Sequence, residues 1–122
     1  MAFGELTINY VSSLTKCLQA SYAISKWMDG VLWYLLASSR GGPTRVRIVR
    51  ALDQRPRNAN ELATELDMDY TTIRHHLDVL LDNNVVRTAG GDYGTLYLFT
   101  DQVTSNWETV EEILETVDTE ES

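Results

Sequence analysis

The sequence has little with which to cross-link itself or to enter a membrane. Its single cysteine among 122 residues, Cys17, excludes an intramolecular disulfide and a cysteine-cluster metal site. The longest uncharged stretches, Leu6 to Thr15 and Gly30 to Ser39, are about ten residues each, and a membrane helix needs roughly 20. Lysine is scarce, with two residues against eight arginines, and 10 basic residues face 18 acidic ones for a net charge of −8. A surface that is basic all over is therefore excluded, although a local basic patch is not. The start, Met1-Ala2-Phe3-Gly4-Glu5, has no basic region followed by an apolar one, so no export signal and a cytoplasmic location are expected. No nucleophile elbow, phosphate loop or HExxH is present, which leaves catalysis without a seat, and no cofactor is expected.

The charge is unevenly spread. Residues 1 to 39 hold two acids and two bases, 40 to 100 hold eight of each, and 101 to 122 hold eight acids and no base. Between residues 40 and 57, Arg40, Arg45, Arg47, Arg50, Arg55 and Arg57 face Asp53 alone. An acidic exterior poor in lysine suits a surface that must stay hydrated in concentrated salt, and a halophilic source is the expectation.

Along the chain, apolar or small residues recur at alternating four and three spacings: Tyr10, Leu14, Cys17, Ser21, Ile24, Met28, Val31 and Leu35. This seam predicts a long helix facing another helix. Gly30 weakens it, so residues 31 to 38 read either as a separate helix or as a short strand. Gly41-Gly42-Pro43 stops one element and starts a helix of about 43 to 53 that buries Val46, Ile48, Val49 and Leu52. Beyond Pro56, Asn58 and Glu61 have the spacing of a capping box for a short helix through Leu66. Asp69 caps a further helix of about 70 to 83, with Ile73, Leu77 and Leu80 on one face and Asn83-Asn84 as its stop. Val85 to Thr88 and Leu96 to Thr100 read as strands joined by a glycine-rich, flexible tip. The closing segment repeats the seam at Val103, Trp107, Val110, Leu114 and Val117.

Helix, helix, turn, helix and hairpin is the order of a winged helix-turn-helix, whose last helix of the trio enters the major groove. The expected fold is thus mainly α with a small β hairpin, divided into an N-terminal dimerisation helix (1–39), a DNA-binding domain (40–100) and an acidic amphipathic helix (101–122). Opposite the apolar face of the third helix, Thr71, Arg74, His75 and Asp78 share one side at 100° per residue. Arg74 suits guanine O6 and N7, His75 a base or a phosphate, Thr71 and Thr72 a phosphate or a thymine methyl, and Asp78 a cytosine amine or Arg74 itself. The cluster containing Arg45, Arg47, Arg50 and Arg57 reads as a phosphate clamp, with Arg87 and Tyr93 on the wing as weaker contacts.

His75 and His76 are adjacent, so their rings diverge by about 100° on a helix, and Asp78 is their single neighbouring ligand; no metal site is expected. The two seams, through Tyr10, Leu14, Cys17, Ser21, Ile24 and Met28 and through Trp107, Val110 and Leu114, supply a homodimer interface, unless they pack on each other within one chain. Cys17 is either a small core residue or an intersubunit redox switch.

Arg45 to Leu52, Asn60-Glu61-Leu62-Ala63, Thr72 to Leu80 and Asn83-Asn84-Val85-Val86 together resemble the ArsR-type winged-helix transcription regulators, over about residues 40 to 100. Asp69-Tyr70-Thr71-Thr72 followed by Arg74-His75-His76-Leu77 is similar to the archaeal, halophilic branch. The resemblance implies a homodimer on double-stranded DNA, with Tyr70 among the contacts, regulating oxidative-stress genes. It departs from the metal sensors of that family, since Glu61 to Leu66 carries no paired cysteines. In molar salt such a protein would hold salt ions between its carboxylates and the phosphates. The rival from another class is a winged helix that binds a protein partner through its acidic C-terminal helix.

Overall fold

The computed structural model describes residues 26–91 and 94–121. Helix α1 enters as residues 26–33 and widens into a π-helical turn, Tyr34–Ser38, closed by Ser39 N donating to Tyr34 O over 2.9 Å. The segment 31 to 38 is therefore helical, running straight through Gly30. Helices α2 (Gly42–Gln54), α3 (Ala59–Leu66) and α4 (Tyr70–Asp82) follow, then strands β1 (Val86–Gly91) and β2 (Gly94–Phe99), and finally α5 (Asp101–Ser105) and α6 (Trp107–Glu121).

The local signals explain the helix limits. Pro43 stands in the first turn of α2, where a missing N–H leaves no bond unmade. Asn58 accepts from Glu61 N at 2.8 Å while Glu61 accepts from Asn58 N at 3.5 Å, completing the capping box of α3. Asp69 accepts from the amides of Thr71 and Thr72 at the start of α4. At its end Asn83 and a left-handed Asn84 (φ 60°) turn the chain into β1.

The hairpin is longer than its sequence suggests. The antiparallel register runs from Val86 opposite Phe99 to Gly91 opposite Gly94, so the glycines expected in a flexible tip are ladder residues. Tyr97 N also donates to Arg57 O at 2.8 Å, and this isolated bridge ties the link between α2 and α3 to the wing.

One core runs through the molecule: Met28, Leu32 and Leu36 of α1, Ile48 and Val49 of α2, Leu62 of α3, Ile73, Leu77 and Leu80 of α4, and Val103, Val110 and Ile113 of the last two helices are all but inaccessible. Thr109 of α6 donates to Asp29 of α1 at 2.8 Å. Within the described residues the two seams thus meet each other in one chain, and Met28 and Val110, expected at a dimer interface, belong to this core. Trp107 is half-buried against Phe99, with ring centroids 5.1 Å apart, and Leu114 is half-buried too. Tyr10, Leu14, Cys17, Ser21 and Ile24 lie outside the described residues, as does Tyr93 on the wing.

Ile113 rather than Leu114 is the fully buried residue between Val110 and Val117 of α6. Ile113→Ala should destabilise the fold by about 2–5 kcal/mol in chemical denaturation, and Leu114→Ala by distinctly less.

A small ionic cluster staples α3 to the end of α2. Arg55 pairs with Glu61 at 2.9 Å and with Glu65 at 3.3 Å. The hydrogen bond from Arg55 is the main reason the Glu61 carboxyl is held below its ordinary 4.5. The unfolded chain therefore takes up this proton first, and the stabilisation is present above pH 4.5 and lost as pH falls through the lower folded value. Denaturation midpoints measured across that acid range should fall less steeply for Glu61→Gln than for the unaltered chain.

Candidate nucleic-acid interface

Helix α4 is two-faced. Ile73, Leu77 and Leu80 have no exposed surface at all, which fixes the roll of the helix, and Thr71, Arg74, His75 and Asp78 are consequently all exposed. Tyr70 is 46% exposed at the leading end, and Thr72 is half-buried beside it. Arg74 and Asp78 face each other at 3.7 Å, one turn apart. Such an exposed pair is worth about 0.3–0.5 kcal/mol, weak enough for a stronger bidentate acceptor to displace.

The exposed face borders a cleft of about 210 Å³ lined by Asn58 and Asn60 at the start of α3, Tyr70 and Arg74 of α4, and Thr95 and Tyr97 of the wing. Tyr97 closes its floor at 2% exposure. Burial pushes the Tyr97 phenol up from its ordinary 10; Arg74 opposes that push, and Asp78 and Tyr70 reinforce it. The hydroxyl thus stays protonated, a donor held next to the charged groups of α4. Neither asparagine nor Tyr97 stands out in the sequence. The one trace of Tyr97 there is its position between Leu96 and Leu98, which places it on the opposite face of the strand from both.

The arginine cluster is put to other uses. Arg45 (5% exposed) and Arg57 (6%) are buried, contrary to their expected role as phosphate clamps. Arg57 donates to the carbonyls of Ala51 and Arg55 and to Gln54 Oε1, and its Nε lies 2.5 Å from Glu65 Oε2, in ion-pair contact without hydrogen-bond alignment. The reason is geometric: the chain end of α2 presents carbonyls that a guanidinium fork can satisfy together. Arg47 stays exposed but donates to Leu66 O at 2.7 Å, at the last turn of α3. Arg50 pairs with Asp118 of α6 at 2.6 Å and reaches Leu114 O at 3.4 Å. Arg87 is exposed on β1, opposite Leu98 in the ladder. His76, next to the reading face, is buried against Arg45, and its ring meets that of His75 edge-on with centroids 5.3 Å apart.

Among the described residues no three His, Cys, Asp or Glu side chains converge as a metal-binding group, and no helix is long and apolar enough to cross a membrane.

Residues 42–88, from the start of α2 into β1, match the family model described as bacterial regulatory protein, arsR family. No curated protein matches the chain. Among solved structures, it is similar to the YusO protein of Bacillus subtilis, at 13% identity over 92% of this chain and 80% of that one, with a TM-score of 0.56. A MarR protein from Peptoclostridium difficile is 19% identical over 87% and 70% of the two chains, with a TM-score of 0.53. A MarR family protein from Bacillus stearothermophilus is 15% identical over 91% and 79%, with a TM-score of 0.51. At these identities the structures speak to the fold alone. Residues 42–88 thus resemble the arsR-family model, and the fold that contains them is a winged helix-turn-helix.

Proposed function

We propose that this chain is a sequence-specific transcription regulator that binds double-stranded DNA as a homodimer, laying two copies of α4 about one duplex turn apart on a pseudo-palindromic operator. One observation carries the reading. The fully buried face of α4 forces Thr71, Arg74, His75 and Asp78 outward together, beside the wing.

Each group has a role that its chemistry suits. Arg74 leaves Asp78 to contact guanine O6 and N7, and Asp78 then accepts from a neighbouring cytosine amine. Tyr70, Thr71, Thr72 and His75 contact the backbone or base edges at the start of the groove, and Arg87 takes a phosphate at the foot of the wing. Residues 1–39 and 101–122 supply the dimer contacts on either side of the reading domain, with Trp107 and Leu114 retaining partial exposure for that purpose.

The eight-to-two preference for arginine over lysine and the acidic last 22 residues support work in the cytoplasm of a halophile, with salt ions held between carboxylates and phosphates. The resemblance to halophilic archaeal regulators supports oxidative-stress genes as the targets.

Selection of random-sequence DNA by the purified protein in roughly molar KCl, with the dimer mass measured alongside, tests the reading. An enriched pseudo-palindrome is the expected result. Arg74→Ala should then weaken binding to the selected duplex by about 1–3 kcal/mol for each half-site, roughly 5- to 150-fold each, and relax the preference at one base pair of each half-site. A dimer that enriches no sequence would contradict the proposal and turn attention to protein partners of the acidic helix.

A further inference from the structure

Three elements are joined behind the reading face by one buried guanidinium. Nε of Arg45 on α2 donates to Leu35 O in the π-wound turn of α1 at 2.8 Å, and one Nη donates to Ser39 Oγ just beyond it. The other, Nη1, lies 3.2 Å from Nδ1 of His76 on α4. A guanidinium has five N–H donors and no acceptor. His76 Nδ1 is therefore the acceptor, and its ring is neutral with the proton on Nε2.

The surroundings are closely packed. A Cβ at Gly41 would lie 2.5 Å from Arg45 Nη1 and 2.7 Å from His76 Cε1, and one at Gly42 would lie 2.6 Å from Leu36 O. The glycine pair between α1 and α2 is thus required for close approach as well as for ending a helix. Arg45 and His76 are 5% and 8% exposed, so neither can turn to water without moving its helix.

We propose that the Arg45–His76 contact is a proton-sensitive latch, which ties α4 to the π-wound end of α1 while His76 Nδ1 is bare and releases it when a proton there sets cation against cation. The groups acting on His76 are Arg45 from α2 and His75 from α4 itself, while Tyr34 of α1 acts through Arg45. Burial, then Arg45, then His75 hold His76 below its ordinary 6.5. The neutral form is favoured in the fold, so the stabilisation is present above pH 6.5 and lost as pH falls through the lower folded value. The consequence for DNA rests on the reading of α4 as the groove helix.

His76→Gln tests the latch, because an amide oxygen still accepts from Arg45 and does not titrate. Thermal stability and affinity for the selected duplex, followed from about pH 8 to about pH 5, should both fall in the unaltered chain. Both losses should be much smaller in His76→Gln than in the unaltered chain. NMR titration should find the His76 ring ionising below its ordinary 6.5 and moving upward in Arg45→Met. An equal acid loss in His76→Gln, or a His76 ring that ionises at or above its ordinary 6.5, would overturn the proposal. If His76→Gln does not fold, the titration of the His76 ring in the unaltered chain and in Arg45→Met decides the matter. The stability and NMR measurements need no DNA, so a chain that binds no duplex would refute the DNA reading while the latch stands. A His76-dependent loss of stability with unchanged affinity would refute release of the reading helix.

Discussion

Everything outside the core depends on the burial of one face of α4. Ile73, Leu77 and Leu80 are sealed against the other helices, and emptying such a position in a packed interior costs about 2–5 kcal/mol. That is a large share of the roughly 5–15 kcal/mol by which a domain of this size is stable. The helix therefore cannot roll, and the residues on its far side have fixed directions. The wing is set beside the same helix: Tyr97 lines one cleft with Tyr70 and Arg74, and its backbone reaches across to Arg57. The reading face is a by-product of the core.

The arginines serve two separate purposes. Those of residues 45 to 57 bind the protein to itself: Arg45 joins α1, α2 and α4, Arg57 and Arg55 fasten α2 to α3, Arg47 engages the end of α3, and Arg50 reaches α6. Arg74 and Arg87 lie on α4 and the wing with their side chains outward. A cluster that is strongly basic in sequence is thus held by the protein itself, with carboxylates neutralising Arg50, Arg55 and Arg57. An acidic chain with few outward cations has little to gain from releasing counterions, and must draw on base contacts and shape.

The parts of the fold that were legible in the sequence are those decided within a few residues. The Asn58–Glu61 box, the Asp69 cap and the Asn83-Asn84 stop are local hydrogen-bond solutions, and the three-residue and four-residue spacings of α4 name its buried face directly. What could not be read depends on elements far apart in the chain. Arginine is normally exposed, and Arg45 and Arg57 are buried because Leu35, Ala51 and His76 bring acceptors to them. Ile113 displaces Leu114 in the core because the roll of α6 is set by what it packs against. The glycines at the hairpin end pair because β1 and β2 are already aligned through Val86 and Phe99. The α1 and α6 stripes were legible as apolar, but whether they meet each other or a second chain is a three-dimensional matter, and Met28 and Val110 meet within one.

The central claim is that affinity for DNA comes from α4 and the wing while the arginines of residues 45 to 57 stay with the protein. The slope of log affinity against log KCl concentration for the selected duplex tests it most directly, because each phosphate neutralised contributes about −0.9. With Arg40, Arg74 and Arg87 as the outward arginines of each protomer outside residues 45 to 57, the slope should be no steeper than about −5.4, or inverted where carboxylates recruit cations to the phosphates. A steep monotonic loss of about −7, the mark of roughly eight phosphates, would mean that the paired arginines leave their partners for DNA, and would contradict the account.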